Sequence, residues 1–272
     1  MQKNAFIPIP NSSSMALITG ASSGIGWEYA KLLACKGYDI LMVSNQASIL
    51  DEKSKVIETK YNVHAIPFYV DLTETSAAEK LFFFCQENNF TIDILINNAG
   101  IYFTGEICET EIQQIENMIR LHVITLSLLC RYFGAEMQHR KRGYILNMSS
   151  LSAWMPYPNI ALYASTKRYI KAFSRSLRTE LLPYNVSVSV MTPGAVNTPL
   201  LHLAPIYKTL ALRFGVMLSP EKVATKALKI MFHRKARCTP GILNKLSIPF
   251  LLLAPNDLVA FIEKKLGKVF LK

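Results

Sequence analysis

The 272-residue chain has no unbroken run of 18 apolar residues, although half of it is hydrophobic. No membrane-spanning helix is therefore expected. Its first stretch, MQKNAFIPIPNSSS, lacks an apolar core of signal-peptide length, and Pro8 and Pro10 interrupt it. Residues 1–14 read as an extended tail. The five cysteines (Cys35, Cys85, Cys108, Cys130 and Cys238) are odd in number, and none are spaced Cys-x-x-Cys. A zinc or redox site of that type is excluded, no metal is expected, and reduced buried thiols in a cytoplasmic protein are the plain reading. Gly and Pro are not concentrated anywhere, and no repeat or low-complexity segment divides the chain. One large domain is expected. Acidic residues are scarce, 19 against 30 Lys and Arg, for a net charge of +11. The basic groups Arg140–Lys141–Arg142 and Arg234–Lys235–Arg237 read as solvated faces or as contacts to an anion. No nucleic-acid motif accompanies them, so a nucleic-acid partner is not expected.

Strand-like and helix-like patterns alternate along the chain. Strands are expected at 15–19, 39–43, 63–70, 92–96, 143–148 and 185–191. Helices are expected at about 25–36, 47–60, 74–88, 109–138 and 160–181, with another near 220. Strands apolar on both faces suit a parallel sheet covered on each side. The alternation implies right-handed crossovers and an α/β, doubly wound parallel sheet of the Rossmann type, with helices on both faces. In such sheets ligands bind at the carboxyl ends of the strands. The first loop at that end is TGASSGIG, Thr19 to Gly26, between a strand and a helix. Gly20, Gly24 and Gly26 let backbone approach a pyrophosphate, and the helix N-terminus points amides at it. A glycine-rich loop alone is a weak signal, but the strand–loop–helix context strengthens it.

TGASSGIG, NNAG (Asn97–Gly100), Ser150, YASTK (Tyr163–Lys167) and PGAVNTP (Pro193–Pro199) follow one another in the order and spacing of the short-chain dehydrogenase/reductase family. The chain resembles that family over about residues 15–240, with Ser150 standing 13 residues before Tyr163. The resemblance implies a catalytic Ser150, Tyr163 and Lys167. It also implies a nicotinamide cofactor lined by Gly20, Ser22, Ser23, Gly24, Ile25 and Gly26. Asn98, Ala99 and Gly100 would line the same cofactor, Asp71 with Leu72 would meet the adenine, and Lys167 would hold the nicotinamide ribose. Thr198 and Val196, with Pro193 and Gly194, would fix the nicotinamide. The chemistry stands without the family name. Tyr163 and Lys167 are four apart on a helix and share a face. The ammonium should lower the tyrosine pKa so that the phenol can exchange a proton with a carbonyl or alcohol oxygen. Ser150 can hold the same oxygen. Asp71 also reads as a helix-start residue in DLTE.

The chain departs from the family pattern in two places. At the end of the second strand, VSNQ, Ser44 stands where an acid would bind the 2′-hydroxyl of NAD, and Asn45 where an NADP-preferring member often has arginine. No carboxylate repels a 2′-phosphate, and no cation in that stretch grips one. NADP(H) is favoured over NAD(H). The second departure is His122, in MIRLHVITLSLL, where the family usually has an asparagine. His122 is either a functional substitute, with a ring nitrogen within one water of Lys167 or bonded directly to the active-site backbone, or a satisfied core histidine.

Residues 195–218 are read as a substrate lid, rich in Leu200, Leu201, Leu203, Ile206, Tyr207, Leu210, Leu212 and Phe214. Trp154, Met155 and Tyr157 add to it. This region suggests a small lipophilic ketone or alcohol and an NADPH-dependent carbonyl reductase, with ordinary core packing as the alternative. A cofactor-binding sensor or scaffold with little turnover is the competing function. Apolar residues on the two long helices (Ile112, Ile115, Ile119, Leu126, Phe133, Ile170 and Phe173) suggest a homodimer or homotetramer. The domain is read as 15–242, and 243–272 as an amphipathic extension carrying Lys264, Lys265, Lys268 and Lys272. That extension would make weak contact with a membrane surface, placing the protein peripherally at the inner membrane face, or would close the pocket or an oligomer seam.

Overall fold

The computed structural model describes residues 14–154, 157–200 and 217–253, with 255, 257 and 259. Most of the expected lid, the N-terminal tail up to residue 13 and the lysines of the C-terminal extension lie outside the described residues. Strands β1 (Met15–Thr19), β2 (Asp39–Ser44), β3 (Ala65–Tyr69), β4 (Ile92–Asn97), β5 (Gly143–Met148), β6 (Val186–Met191) and β7 (Arg237–Cys238) pair in parallel in the order β3-β2-β1-β4-β5-β6-β7. Successive residues of each strand face opposite layers. Ile18, Ile40, Met42, Ile94, Ile96 and Leu146 pack under helices α1 (Gly24–Ala34), α2 (Ala47–Tyr61) and α7 (Pro220–Phe232). Leu17, Leu41, Leu95, Ile145 and Val188 pack under α3 (Ala77–Glu87), α5 (Leu126–Arg140) and α6 (Ala161–Leu181). The strand order reverses between β1 and β4, so their carboxyl ends open a crevice there.

The long helix expected at 109–138 is instead three pieces: α4 (Ile112–Ile119), a π-helical stretch at Arg120–Thr125, and α5. The whole run, Ile112–Arg140, is long and apolar enough to cross a membrane, contrary to the expectation from unbroken apolar runs. Polar residues such as His122 and Ser127 break the run without making the helix polar. Half of its most apolar window is buried inside the protein, as befits a core helix. The apolar residues expected to face a partner divide in the same way. Leu126, Phe133 and Ile170 are core residues, whereas Ile112 and Ile119 are exposed. Only two of the cysteines expected to be buried are so, Cys85 and Cys130.

A buried polar chain fixes α6 to the sheet. Asn97 Nδ2 donates to Asn147 Oδ1 at 2.8 Å, Asn147 Nδ2 to Ser174 Oγ at 2.9 Å, and Ser174 Oγ to the Ile170 carbonyl at 2.6 Å. At the far end of α6, Arg178 donates to the Val188 and Arg234 carbonyls at 3.0 and 2.7 Å. The basic group expected to be a solvated face is partly structural. Arg142 forms a two-pronged bond to the buried Asp93 (3.0 and 2.9 Å), and Arg140 donates to the Ile92 carbonyl at 2.7 Å. Helix α8 (Ile242–Leu253) turns Asn244 inward, and exposes Ile242, Leu243, Leu246, Phe250, Leu252 and Leu253.

Candidate active site

The glycine loop lies at the crevice. Gly20 (φ +67) and Gly24 (φ +53) take left-handed backbone that side chains disfavour. A Cβ on Gly26 would strike the Gly20 carbonyl, and one on Gly24 would lie 3.0 Å from Thr198 Cγ2. The loop is thus pressed onto the start of α1 on one side and faces Thr198 on the other. Thr19 Oγ1 accepts from the Asn98 and Ala99 amides at 2.9 and 3.0 Å, and Asn98 Nδ2 donates to the Thr19 carbonyl at 3.0 Å. These bonds lock NNAG to the glycine loop. Ser23 precedes α1 without a side-chain cap, and Ile25 packs toward the core. Pro193 accepts the Leu151 amide at 2.7 Å, the Thr198 amide turns back to the Val196 carbonyl at 2.8 Å, and Gly194 lies against Asn244 so closely that it has no room for a Cβ. A cradle of this shape, with a helix N-terminus behind it, fits a dinucleotide.

Ser150, Tyr163, Lys167 and His122 come together at the carboxyl ends of β4 and β5. Ser150 hydrogen-bonds the Tyr163 phenol. Lys167 is buried, and its ammonium donates to the Met148 carbonyl at 3.1 Å and stands 5.6 Å from the centre of the Tyr163 ring. His122 is 1% exposed. Thr166 Oγ1 donates to the Tyr163 carbonyl at 2.9 Å and so accepts from His122 Nδ1 at 3.0 Å. That fixes the tautomer, because Nε2 accepts the Ile101 amide at 3.2 Å. Gly100 fits between this ring and the lysine: a Cβ there would lie 3.2 Å from His122 Nε2 and 3.5 Å from Lys167 Nζ.

The short chain dehydrogenase family matches residues 14–205, more than half of the chain. The chain belongs to the short-chain dehydrogenase family. It is 31% identical over 196 residues to Very-long-chain 3-oxoacyl-CoA reductase-A of Danio rerio, a match covering 70% of this chain and 60% of that protein. The chain thus spans about three fifths of that relative's length. It is also 31% identical over 251 residues to Fatty acyl-CoA reductase of Acinetobacter baylyi, covering 89% of this chain and 80% of that one. Among solved structures, a 7beta-hydroxysteroid dehydrogenase matches with a TM-score of 0.82 at 22% identity, over 92% of this chain and 96% of that one. A short-chain dehydrogenase from Sphingobium yanoikuyae in complex with NADPH matches with a TM-score of 0.75 at 25% identity, over 94% and 95%.

In this short-chain dehydrogenase, burial sets the protonation of the site. It pushes the Tyr163 phenol up to about 12, the Ser150 bond pulls it down, and Tyr102, edge-on at 4.9 Å between ring centres, pushes it up. The expected lowering by Lys167 is not found, because burial leaves the lysine uncharged at the pH where a phenol near 12 would ionise. Burial brings Lys167 down to about 7. Burial, then the charge of Lys167, lowers His122 well below the ordinary histidine value, so the ring is neutral at pH 7.

Of the two arrangements expected for a functional His122, the structure shows the direct bond to the active-site backbone: Nε2 accepts the Ile101 amide and Nδ1 donates to Thr166, so both ring nitrogens are taken without a water. Most of the lid expected beside Trp154 lies outside the described residues, as does Met155; within them the Trp154 ring meets cations. It lies under Lys171 Nζ (3.1 Å to the centre), with Arg237 at 5.8 Å. Asp71 spends one oxygen on its own turn: Oδ1 accepts the Thr73 amide and hydroxyl at 2.8 and 2.7 Å, and Oδ2 accepts Asn45 Nδ2 at 3.4 Å. Burial raises its pKa, but these bonds outweigh it and hold the carboxyl below its usual value. Leu72 is buried, and its carbonyl accepts Thr125 Oγ1 at 2.8 Å. Sequence patterns did not single out Tyr102, Thr166 or Asn244. Tyr102 follows NNAG directly, which is the one signal that places it near the site.

Two outcomes follow for the buried pair. Below about pH 7 Lys167 is protonated in both the folded and the unfolded chain, and folding bears the whole cost of burying it. Between about 7 and 10.5 the folded protein has shed the proton that the unfolded chain keeps, so the cost fades as pH rises. Lys167→Met should raise stability at pH 6 by on the order of 1 kcal/mol, with the gain gone near pH 10. Melts at both pH values check this, and a loss at pH 6 contradicts it. His122→Ala removes an acceptor from Ile101 and a donor from Thr166 and leaves a cavity, so it should cost about 2–4 kcal/mol as well as activity. His122→Asn should cost less on both counts. A melting curve for His122→Ala that overlays the wild type would show that the two bonds carry no weight.

Proposed function

We propose that this chain is an NADP(H)-dependent reductase of lipophilic ketones, of which a 3-oxoacyl thioester is one class. The observation that carries the reading is the Ser150–Tyr163 hydrogen bond beside a dinucleotide-shaped cradle. A nicotinamide cofactor would supply the hydride. Ser150 would donate to the carbonyl oxygen and orient it. A phenol held near 12 stays protonated at neutral pH, so Tyr163 is poised to give that oxygen its proton. Lys167, four residues along the same helix, exchanges its proton near pH 7 beside the ring and has donors for a ribose. Neither Ser44 nor Asn45 is itself a carboxylate that would repel a 2′-phosphate, and the nearby Asp71 carboxylate is engaged by Thr73 and Asn45. The names of the relatives, a very-long-chain 3-oxoacyl-CoA reductase and a fatty acyl-CoA reductase, favour a lipid-like substrate.

The deciding experiment follows the loss of reduced-nicotinamide absorbance over a panel of hydrophobic ketones and 3-oxoacyl thioesters, with wild type and Tyr163→Phe. Tyr163→Phe should lose about 100- to 10,000-fold in rate. Near-full turnover by that variant would sink the mechanism. Cofactor binding without turnover on any substrate would leave the sensor reading in its place.

The same reading extends to assembly. Ile112, Ile119, Ile124 and Tyr169 are exposed on the helices around α5 and α6, with Tyr169 stacked on Phe173 at 5.6 Å, a face suited to a second copy. The exposed apolar side of α8 and the C-terminal lysines suit the surface of an anionic membrane, the cytoplasmic face included. A dimeric mass at micromolar concentration and flotation with anionic liposomes are expected. A monomer would remove the first proposal, and a protein that stays with the unbound fraction the second.

A further inference from the structure

Asn45, at the position where a cation for a 2′-phosphate would be sought, is turned toward Asp71. A cation reaches the same corner from elsewhere. Lys53, on α2, extends back over the glycine loop, where its ammonium donates to the Ser22 carbonyl at 2.5 Å and lies 4.9 Å from the centre of the Trp27 ring on α1. Ser22 in turn is joined to the end of β2. Ser44 Oγ donates to Ser22 Oγ at 2.9 Å, Ser22 Oγ to Gln46 Oε1 at 2.7 Å, and the Gln46 amide to Ser44 Oγ at 3.2 Å. One ammonium and two linked hydroxyls therefore stand together where the first two strands end, which is where a doubly wound sheet seats the ribose of a dinucleotide.

The ammonium is not spent on a carboxylate. Glu28 pairs with Lys31 at 2.9 Å, Asp51 accepts the Tyr69 hydroxyl, and no ion pair of Lys53 occurs among the described residues. An ammonium has three donors, and the Ser22 carbonyl takes one. The Trp27 ring and the Ser22 carbonyl both hold the ammonium at this corner, so less rotamer freedom remains to be lost when an anion arrives. Burial lowers its pKa, Lys31 adds a smaller push in the same direction, and Glu52 and Glu28 act against both without forming an ion pair with it.

We propose that Lys53, held on Trp27 and Ser22, is the residue that selects a 2′-phosphorylated adenosine, with Ser22 and Ser44 as hydroxyl partners. The proposal rests on the NADP(H) reading above, and it names a contact made from α2 rather than from the end of β2. The phosphate bears two negative charges at neutral pH, and charge-assisted bonds of this type are the strong ones. Substituting Lys53→Met keeps an unbranched apolar stem and removes the charge, and Lys53→Arg restores it.

Calorimetric binding of adenosine 2′,5′-bisphosphate and of 5′-AMP, with NADPH and NADH alongside, tests the assignment without turnover. In the wild type the 2′-phosphorylated member of each pair should bind more tightly. In Lys53→Met the ratio of affinities within each pair should fall about 10- to 100-fold, and Lys53→Arg should recover most of it. An unchanged ratio in Lys53→Met, including one where both members weaken equally, overturns the proposal and leaves Lys53 a packing residue. A wild type that binds both members equally overturns it too, while reduction of ketones with either cofactor would keep the reductase reading. Binding of neither cofactor would overturn both.

Discussion

A lysine ammonium buried at the carboxyl end of a parallel sheet is the constraint around which this site is arranged. Lys167 cannot be solvated by water, so its surroundings must do the work, and the Met148 carbonyl at the end of β5 is the acceptor that holds it. That fixes the rotation of α6 about its axis, and with it the position of Tyr163 one turn earlier. The Asn97–Asn147–Ser174 chain holds the same helix at the same height further along. A slip of α6 would break both sets of bonds together. The cost of burying the charge is the stability given up for a reactive geometry, a trade common at functional sites.

The neighbouring helix shows the same constraint from the other side. A second cation beside Lys167 would be costly, and the ring of His122 stays neutral and acts as a strut. It spans from the helix to the Ile101 amide after NNAG and to Thr166 on α6. The π-helical turn at Arg120–Thr125 widens the helix where the ring must reach both. Three separate segments (the loop after β4, the interrupted helix and α6) are joined through one side chain.

Much of this was readable before any coordinates. The apolar runs of β1, β2, β4, β5 and β6 placed those strands to within a residue or so, because a strand buried on both faces leaves a plain pattern. The glycine loop and the Ser150–Tyr163–Lys167 spacing are local signals of the same kind. What escaped depends on contacts across the chain. The two residues of β7 carry no pattern, and the π turn interrupts a helix whose apolar spacing looks continuous. Trp154 looks like an apolar wall in sequence, and only the approach of Lys171 on α6 shows that its ring is a seat for cations. Lys53 is one of three lysines on α2, and nothing in their spacing separates the one that folds back over the glycine loop from those that face water.

His122 shows most clearly how far local reasoning reaches. Its apolar surroundings require that a polar ring find partners, and that argument holds for any buried histidine. The partner it finds is decided by geometry that no periodicity records. A short amide at this position reaches one neighbour, whereas an imidazole carries a donor and an acceptor on opposite edges and can join two segments at once. The ring makes two direct bonds to protein, and through Thr166 it ties the interrupted helix to α6 one residue before Lys167.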